Sequence, residues 1–296
     1  LYYRYPRLKQ SIKKNNPDYI LQAGAGFITW ILSYISKKNN IVFIHRIAND
    51  VDTDERIKKR LNLATRLFYY QGLTNSKVII CQNKYQYHNL KRIFPDKNLK
   101  ILYNPFYNYE LPKSIKLFNN RKYIAWLGLF QYQKNLPGLL NVVKKMPEMM
   151  FKIGGIPQSN IDKKTEMALI ELRKCSNVVF LGYIKRAEIN GFLGNAYALL
   201  NTSHYEGFSN TFLESFAAGT PVITTSKVDP DNIIATNGLG YVSYDFSAIP
   251  DLINRLININ KDDYYEMCVR CRHHVEKNHD PMKLASELLK FIGSSL

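Results

Sequence analysis

Residues 204–224 read HYEGFSNTFLESFAAGTPVIT, and just upstream lies the apolar run Ala196–Leu200. A run that short, bounded by polar residues, predicts a strand buried on both faces, as in a parallel sheet. A polar turn follows, carrying Glu206, Gly207 and Ser209. Ser209 has the chemistry of an N-cap, a hydroxyl able to accept from a first-turn N–H. Phe212, Leu213, Phe216 and Ala217 then fall at helical spacing and predict a buried helix face. Gly219 stops that helix, and Pro221 opens a strand at Val222-Ile223. Strand, loop, helix, strand puts the helix N-terminus at the carboxyl end of a parallel sheet. That end is where open α/β sheets bind ligands.

The unit offers an anion site flanked by two carboxylates. N–H groups at Ser209, Asn210 and Thr211, at the positive end of the helix dipole, suit a phosphate or diphosphate. Gly207 admits a ligand close to the backbone. Glu214 lies inside the helix, but helical side chains lean towards the N-terminus, so its carboxylate reaches the ligand's edge. Glu206 stands in the loop on the other side. A bound anion repels both glutamates, so they address sugar hydroxyls on either side of it. Ribose, diphosphate and hexose make up a nucleotide sugar. The same spacing also fits an ordinary βαβ crossover with two solvated glutamates.

The stretch EGFSNTFLESFAAGTPVIT, with seven residues between Glu206 and Glu214, resembles the donor-site signature of the family 4 glycosyltransferases. The match covers the glutamate pair, the aromatic Phe208 after Gly207, and the helix ending in Ala-Ala-Gly-Thr-Pro-Val. The resemblance implies a retaining transferase of two Rossmann-like domains facing across a cleft, the GT-B fold. It further implies that Glu206 contacts the donor sugar and Glu214 the ribose.

The 296 residues suggest about two domains, and 46% apolar content suffices for their cores. No apolar run approaches the ~20 residues of a membrane helix. The longest, Gly26–Ile35, contains Thr29 and Ser33, and no signal peptide is visible. Cys81, Cys175, Cys268 and Cys271 do not make a disulfide framework, which points to a reducing cytoplasm. Cys268-Val-Arg-Cys271 with His273 and His274 suggests zinc, but no second ligand pair accompanies it.

The rest of the chain alternates. A basic helix over Arg4–Lys14 precedes strands at Tyr19–Ala23, Ile41–Ile44, Val78–Cys81 and Leu99–Tyr103, with helices at Phe27–Ile35, Arg56–Tyr70 and Lys84–Phe94. Residues 104–112 read as a linker. Strands at Tyr123–Leu127, Phe151–Ile153, Val178–Leu181 and Gly240–Ser243 belong with the quoted unit to a second α/β domain. Such alternation predicts doubly wound parallel sheets. The expected boundaries are 1–108, 109–279 and a C-terminal helix over 280–296 that returns to the first domain. The resemblance implies one or more βα units ahead of Tyr19, so the first domain is expected to be incomplete, with part of the acceptor site missing.

Other candidate residues gain meaning from the resemblance. Lys134 occupies the place of a family lysine that neutralises diphosphate oxygens and steadies the leaving nucleotide, although alone it also reads as a solvated loop lysine. Leu129 stands after Gly128 where the family carries an arginine. Gly154-Gly155 and Gly182-Tyr183 end strands at one sheet edge, as cradles for the nucleotide or as tight turns. His45 ends a first-domain strand, where the family often places a histidine near the reacting carbon; a structural histidine is the alternative. Asp50, Asp52 and Asp54 form either an acceptor or metal-binding loop or a solvated acidic one. Asn201-Thr202-Ser203 matches a glycosylation sequon at a buried strand end.

Charge is uneven. Residues 1–150 hold 26 Lys and Arg against 8 Asp and Glu (+18), and residues 151–296 hold 15 against 16 (−1). A basic first half expects an anionic partner, either a membrane surface at the inner face of the cell membrane or a lipid-diphosphate acceptor. No helix-turn-helix, zinc finger or single-strand signature supports nucleic acid. No G-x-G-x-x-G opens a strand–helix turn, which removes a dehydrogenase. Two functions remain: a metal-independent glycosyltransferase using a nucleoside-diphosphate sugar, and a silent nucleotide-sugar-binding protein of the same fold. No cofactor or metal is expected beyond the donor substrate.

Overall fold

Polar caps and short β-branched runs alternate along the chain, and the structure follows that alternation. The computed structural model describes residues 4–107 and 114–295. They divide into two compact units, one built from the chain up to Asn104 together with Met282 onward, the other from Pro105–Pro281.

The first unit runs α1 (Arg4–Asn15), β1 (Tyr19–Ala23), α2 (Phe27–Lys38), β2 (Val42–Arg46), α3 (Ile57–Arg60), α4 (Leu63–Asn75), β3 (Val78–Cys81), α5 (Lys84–Ile93) and β4 (Asn98–Ile101). Its sheet is parallel in the order β1-β2-β3-β4. Tyr69, Leu73 and Leu90 from the helices bury against Ile79, Cys81 and Leu99 of the strands. Gly72 brings α4 onto α2, since a Cβ there would lie 2.9 Å from the Thr29 backbone.

The second unit runs β5 (Tyr123–Leu127), α6 (Leu136–Lys145), β6 (Phe151–Gly154), α7 (Lys163–Leu172), β7 (Val178–Gly182), α8 (Arg186–Gly194), β8 (Ala196–Leu200), α9 (Asn210–Ala217), β9 (Val222–Thr225), α10 (Ile233–Asn237), β10 (Gly240–Ser243), α11 (Ile249–Ile257) and α12 (Lys261–Asn278). Its parallel sheet has the order β10-β9-β8-β5-β6-β7. The chain winds outward from β5 to β7, then crosses to β8 on the other side of β5 and winds the opposite way. The crevice between β5 and β8 is therefore the topological switch point, the place such sheets reserve for ligands. The last helix, α13 (Pro281–Ser295), buries Leu284 and Ile292 against Ile44, Val78, Ile80 and Leu102 of the first unit.

Several sequence expectations change. The single basic helix over Arg56–Tyr70 is two, because Asn62 turns extended and its side chain accepts from the Thr65 N–H at 2.9 Å, starting α4 afresh. The first boundary falls after Asn104 rather than residue 108: the Phe106 N–H donates to the His279 carbonyl at 2.9 Å, tying that stretch to the second unit. The second falls after Pro281 rather than residue 279. Most of the linker expected over 104–112 lies outside the described residues. Among those described, no helix is long and apolar enough to cross a membrane.

Candidate functional site

The loops after β5 and β8 meet at the switch point. Gln131 is extended, residues 132–134 make one 3-10 turn, and Asn135 caps α6 by accepting from Gly138 N–H. The turn carries Lys134 over Gly128, with 3.4 Å between the lysine's Cε and the place a Gly128 Cβ would take. From the other strand, Glu206 comes up in the loop before α9. The Lys134 ammonium lies 2.6 Å from Glu206 Oε1. Ser203 Oγ donates to the same oxygen at 2.7 Å, and Gln133 Nε2 donates to Oε2 at 3.1 Å. The carboxylate is thus held at both oxygens, with 8% of the residue exposed. A second line of bonds fixes the lysine's backbone: Trp126 Nε1 donates to Thr202 Oγ1 at 3.0 Å, and that hydroxyl donates to the Lys134 carbonyl at 2.7 Å.

Three glycine turns lie side by side at the same edge. Gly128 N–H donates to the Gly154 carbonyl at 3.1 Å, and Gly155 N–H to the Gly182 carbonyl at 2.7 Å. Gly155 has φ +144, and a Cβ there would sit 1.9 Å from the Gly128 carbonyl oxygen, so no other residue fits. Tyr183, next in line, is 71% exposed.

Glu214 sits on α9 and lines a cavity of about 580 Å³ with Arg186, Asn190, Phe106 and Tyr107. Burial lifts its carboxyl to about 7, against a smaller opposing pull from the Arg186 guanidinium. The folded value lies above the unfolded one, so the stability that goes with the proton is complete below the ordinary carboxylate range and is lost as pH rises through about 7. Glu214→Gln is therefore expected to melt with the wild type in acid and above it at about pH 8. Equal melting temperatures in thermal scans at the higher pH would contradict a desolvated carboxylate.

At the start of α9 the expected Ser209 cap bond is not made. Ser209 Oγ faces Thr211 Oγ1 at 2.8 Å instead. Two neighbouring hydroxyls satisfy each other, and the Ser209 side chain does not cover the backbone of Asn210 and Thr211. Gly207 is buried. Phe208 is buried too, its ring tilted against that of His279 with 5.3 Å between centres.

His45 is placed inside the first unit rather than facing outward. It is fully buried, its Nδ1 pairs with Gln22 Oε1 at 2.8 Å, and its ring packs edge-on against Tyr69. Burial drops its pKa to about 3, so it is neutral. The acidic loop is not solvated either. Asp52 is fully buried and ion-paired with Arg60, while Asp50 accepts from Asn83 and Gln86 at 2.9 Å each. Asp54 is bound by Arg56 and Tyr85. The loop's carboxylates act as internal fasteners. Cys268 and Cys271 lie buried on α12, and among the described residues no cluster of three His, Cys, Asp or Glu is placed to hold a metal.

Sequence reasoning missed Gln133, Thr202, Ser203 and Arg186. Thr202 and Ser203 have a signal, a polar triplet directly after a buried strand, which also matches a glycosylation sequon. Arg186 had one as well, a cation at the first position of the helix after Gly182-Tyr183. Gln133 had none, since only the meeting of two loops gives it a partner.

A family model described as glycosyl transferases group 1 matches residues 108–278. A capsular polysaccharide biosynthesis glycosyltransferase of Staphylococcus aureus is 28% identical over 151 residues, 48% of this chain and 38% of that protein. An alpha-monoglucosyldiacylglycerol synthase of Streptococcus pneumoniae is 26% identical over 139 residues, 46% of this chain and 31% of the synthase. The matches thus span only about a third of the length of these relatives. Among solved structures, HepE of Anabaena in complex with UDP and glucose aligns with a TM-score of 0.80 at 13% identity, covering 98% of this chain and 81% of that one. At that identity the likeness is one of fold.

Proposed function

Because the chain belongs to the glycosyl transferases group 1 family, we propose that it moves a sugar from a nucleoside-diphosphate sugar to a glycan or lipid-linked acceptor of the cell surface, retaining the anomeric configuration. The observation that carries this reading is the Lys134–Glu206 pair at the β5/β8 switch point, below the N-terminus of α9. In this reading the diphosphate lies against Lys134 and the backbone of Ser209, Asn210 and Thr211, with Gly207 and Phe208 shaping the loop. Charge gathers on the diphosphate as the bond from anomeric carbon to phosphate oxygen breaks, and an ammonium and a helix N-terminus facing that oxygen lower the barrier. Glu206 holds the donor sugar and Glu214 the ribose. Gly128, Gly155, Gly182 and Tyr183 line the nucleotide through their backbone. Leu129, 47% exposed, leaves no cation at its place, and Arg186 beside Glu214 supplies one. His45 has no part in this reading, because its ring is enclosed.

The relatives support the reading: one is a capsular polysaccharide enzyme, one a glycolipid synthase, and HepE holds UDP and glucose. The basic first half fits work at the inner face of an anionic membrane. A panel of UDP-, GDP- and ADP-sugars, scored for thermal stabilisation and slow hydrolysis, tests the function. One nucleotide series is expected to stabilise and be hydrolysed; no stabilisation by any of them would overturn the reading. Stabilisation without hydrolysis would favour the silent binding protein, which the missing arginine at Leu129 keeps in view.

The charge on the diphosphate is met here by side chain and helix, and no metal is needed for it. Turnover is accordingly expected to persist in EDTA. Complete loss, restored by Mn²⁺, is the result that would reverse this.

A further inference from the structure

Thr202 lies just beyond the end of β8 and is 1% exposed. Its hydroxyl is used twice, accepting from Trp126 Nε1 at 3.0 Å and donating to the Lys134 carbonyl at 2.7 Å. A hydroxyl has one proton to give, so the indole N–H on its oxygen leaves that proton for the carbonyl. Trp126 belongs to β5 and is itself buried, so strand and loop of one βα unit are both tied to the loop of the other. A strand end needs neither bond, since valine has the same β-branch and nearly the same outline.

The bonded carbonyl belongs to the peptide between Lys134 and Asn135. Asn135 has φ 51 and ψ 59, in the left-handed region that residues other than glycine keep only where their surroundings hold them. The lysine's side chain is flanked as well. A Cβ built on Gly128 would lie 3.4 Å from Lys134 Cε and 3.4 Å from Trp126 Cη2, so the lysine stem and the indole ring border the same glycine. Lysine carries its charge on a flexible stem, and fixing its backbone narrows where the ammonium can go. Further bonds close the two loops on each other. The His204 N–H donates to the Gln133 carbonyl at 2.8 Å, and Gln133 Nε2 donates to the Tyr205 carbonyl at 2.9 Å and to Glu206 Oε2 at 3.1 Å. Ammonium and carboxylate are thus set before a donor arrives. Charge that develops on a leaving group is met best by groups already in place.

We propose that Thr202 is a positioning residue of the transfer reaction: its hydroxyl, directed by Trp126, locks the Lys134 backbone so that the ammonium meets the leaving diphosphate in the transition state. This deepens the donor reading of the proposed function and rests on it.

The test is hydrolysis of UDP-, GDP- and ADP-glucose by the full chain, with kcat and KM measured separately. Thr202→Val should lower kcat ~10- to 100-fold and move the donor KM less than ~3-fold, because the lost alignment matters when the bond breaks. Thr202→Ser keeps the hydroxyl and should recover most of the rate. Tyr264→Phe is the control for stability alone. It removes another hydroxyl of the same unit, which donates to the Tyr197 carbonyl near the start of β8 at 2.6 Å, and it should lower Tm yet keep kcat. The chain has two tryptophans, so two indole N–H peaks in a ¹⁵N spectrum report on the bond directly. The Trp126 peak should shift in Thr202→Val and return close to its place in Thr202→Ser. If Thr202→Val does not fold, Thr202→Ala carries the same expectation. A kcat within twofold of the wild type, a loss that lies wholly in KM, an equal loss in Tyr264→Phe, or no rescue by serine would each overturn the role. A wild type that hydrolyses none of the sugar nucleotides overturns the donor reading and this role with it, whereas hydrolysis that Thr202→Val leaves intact overturns this role alone.

Discussion

Glu206→Ala and Glu214→Ala should fail in different ways. Each carboxylate would accept hydroxyl hydrogen bonds, and such bonds to a charged group contribute roughly 1.5–3 kcal/mol, or about ten- to a hundredfold in a rate or affinity. In the proposed function Glu206 lies at the sugar, next to the bond that breaks, and it anchors the Lys134 ammonium at 2.6 Å. Removing it loosens both the sugar and the cation when charge develops, so kcat should fall with KM little moved. Glu206→Gln keeps an acceptor for Ser203 and Gln133 but loses the ion pair, and it should recover only part of the rate. In the same proposed function Glu214 grips the ribose, which changes little at the transition state. Its loss should raise KM about tenfold or more and leave kcat nearly alone. UDP or its equivalent has the ribose and lacks the sugar, so its affinity should drop in Glu214→Ala and hold in Glu206→Ala. Equal nucleotide affinity in the two variants would show that the carboxylates are wrongly assigned.

Arg121→Met should strongly destabilise the second unit. Arg121 is 2% exposed, and its guanidinium donates to the carbonyls of Ala196 and Gly219 at 2.7 Å each and to Thr220 Oγ1 at 2.9 Å. It also reaches the Lys116 carbonyl and lies 5.2 Å from the Tyr264 ring. Ala196 begins β8 and Gly219 follows the end of α9, so one side chain ties together the ends of the unit that carries Glu206 and Glu214. Methionine fills the space but gives no donors, and the buried carbonyls lose their partners. Breaking such a cluster costs about 3–5 kcal/mol. For a domain of this size that is ~10 °C in Tm, read by circular dichroism. A loss near 1 °C would mean that water or a shifted neighbour satisfies the carbonyls, and the clamp would be refuted.

The quoted stretch shows what a sequence carries by itself. Phe212 and Phe216 return every fourth residue, Gly219 and Pro221 cannot continue a helix, and Ala196–Leu200 is too short and apolar for anything but an inner strand. Each of these signals is local, acting within a few residues through backbone sterics and burial. They determined β8, α9 and β9, and with them the place of Glu206 and Glu214 relative to a helix N-terminus. The family resemblance rested on the same local string. The Ser209 cap was legible as a position and misread as a bond, because a second hydroxyl at Thr211 competes for it.

Contacts between distant segments were decided by tertiary structure. Lys134 and Glu206 are 72 residues apart, and only the crossover that sets β8 beside β5 brings the ammonium onto the carboxylate. The same packing turned His45 inward against Tyr69, paired Asp52 with Arg60 and gave Arg121 its carbonyls. Periodicity tells which face of an element is buried, whereas the identity of the neighbour depends on strand order and on close approaches such as that of Gly72 to Thr29. A polar residue at a strand end or in a loop has the same local pattern whether it meets a ligand, a backbone carbonyl or a buried ion. Its surroundings come from parts of the chain that the local pattern does not mention, and the burial they impose settles which of those it becomes.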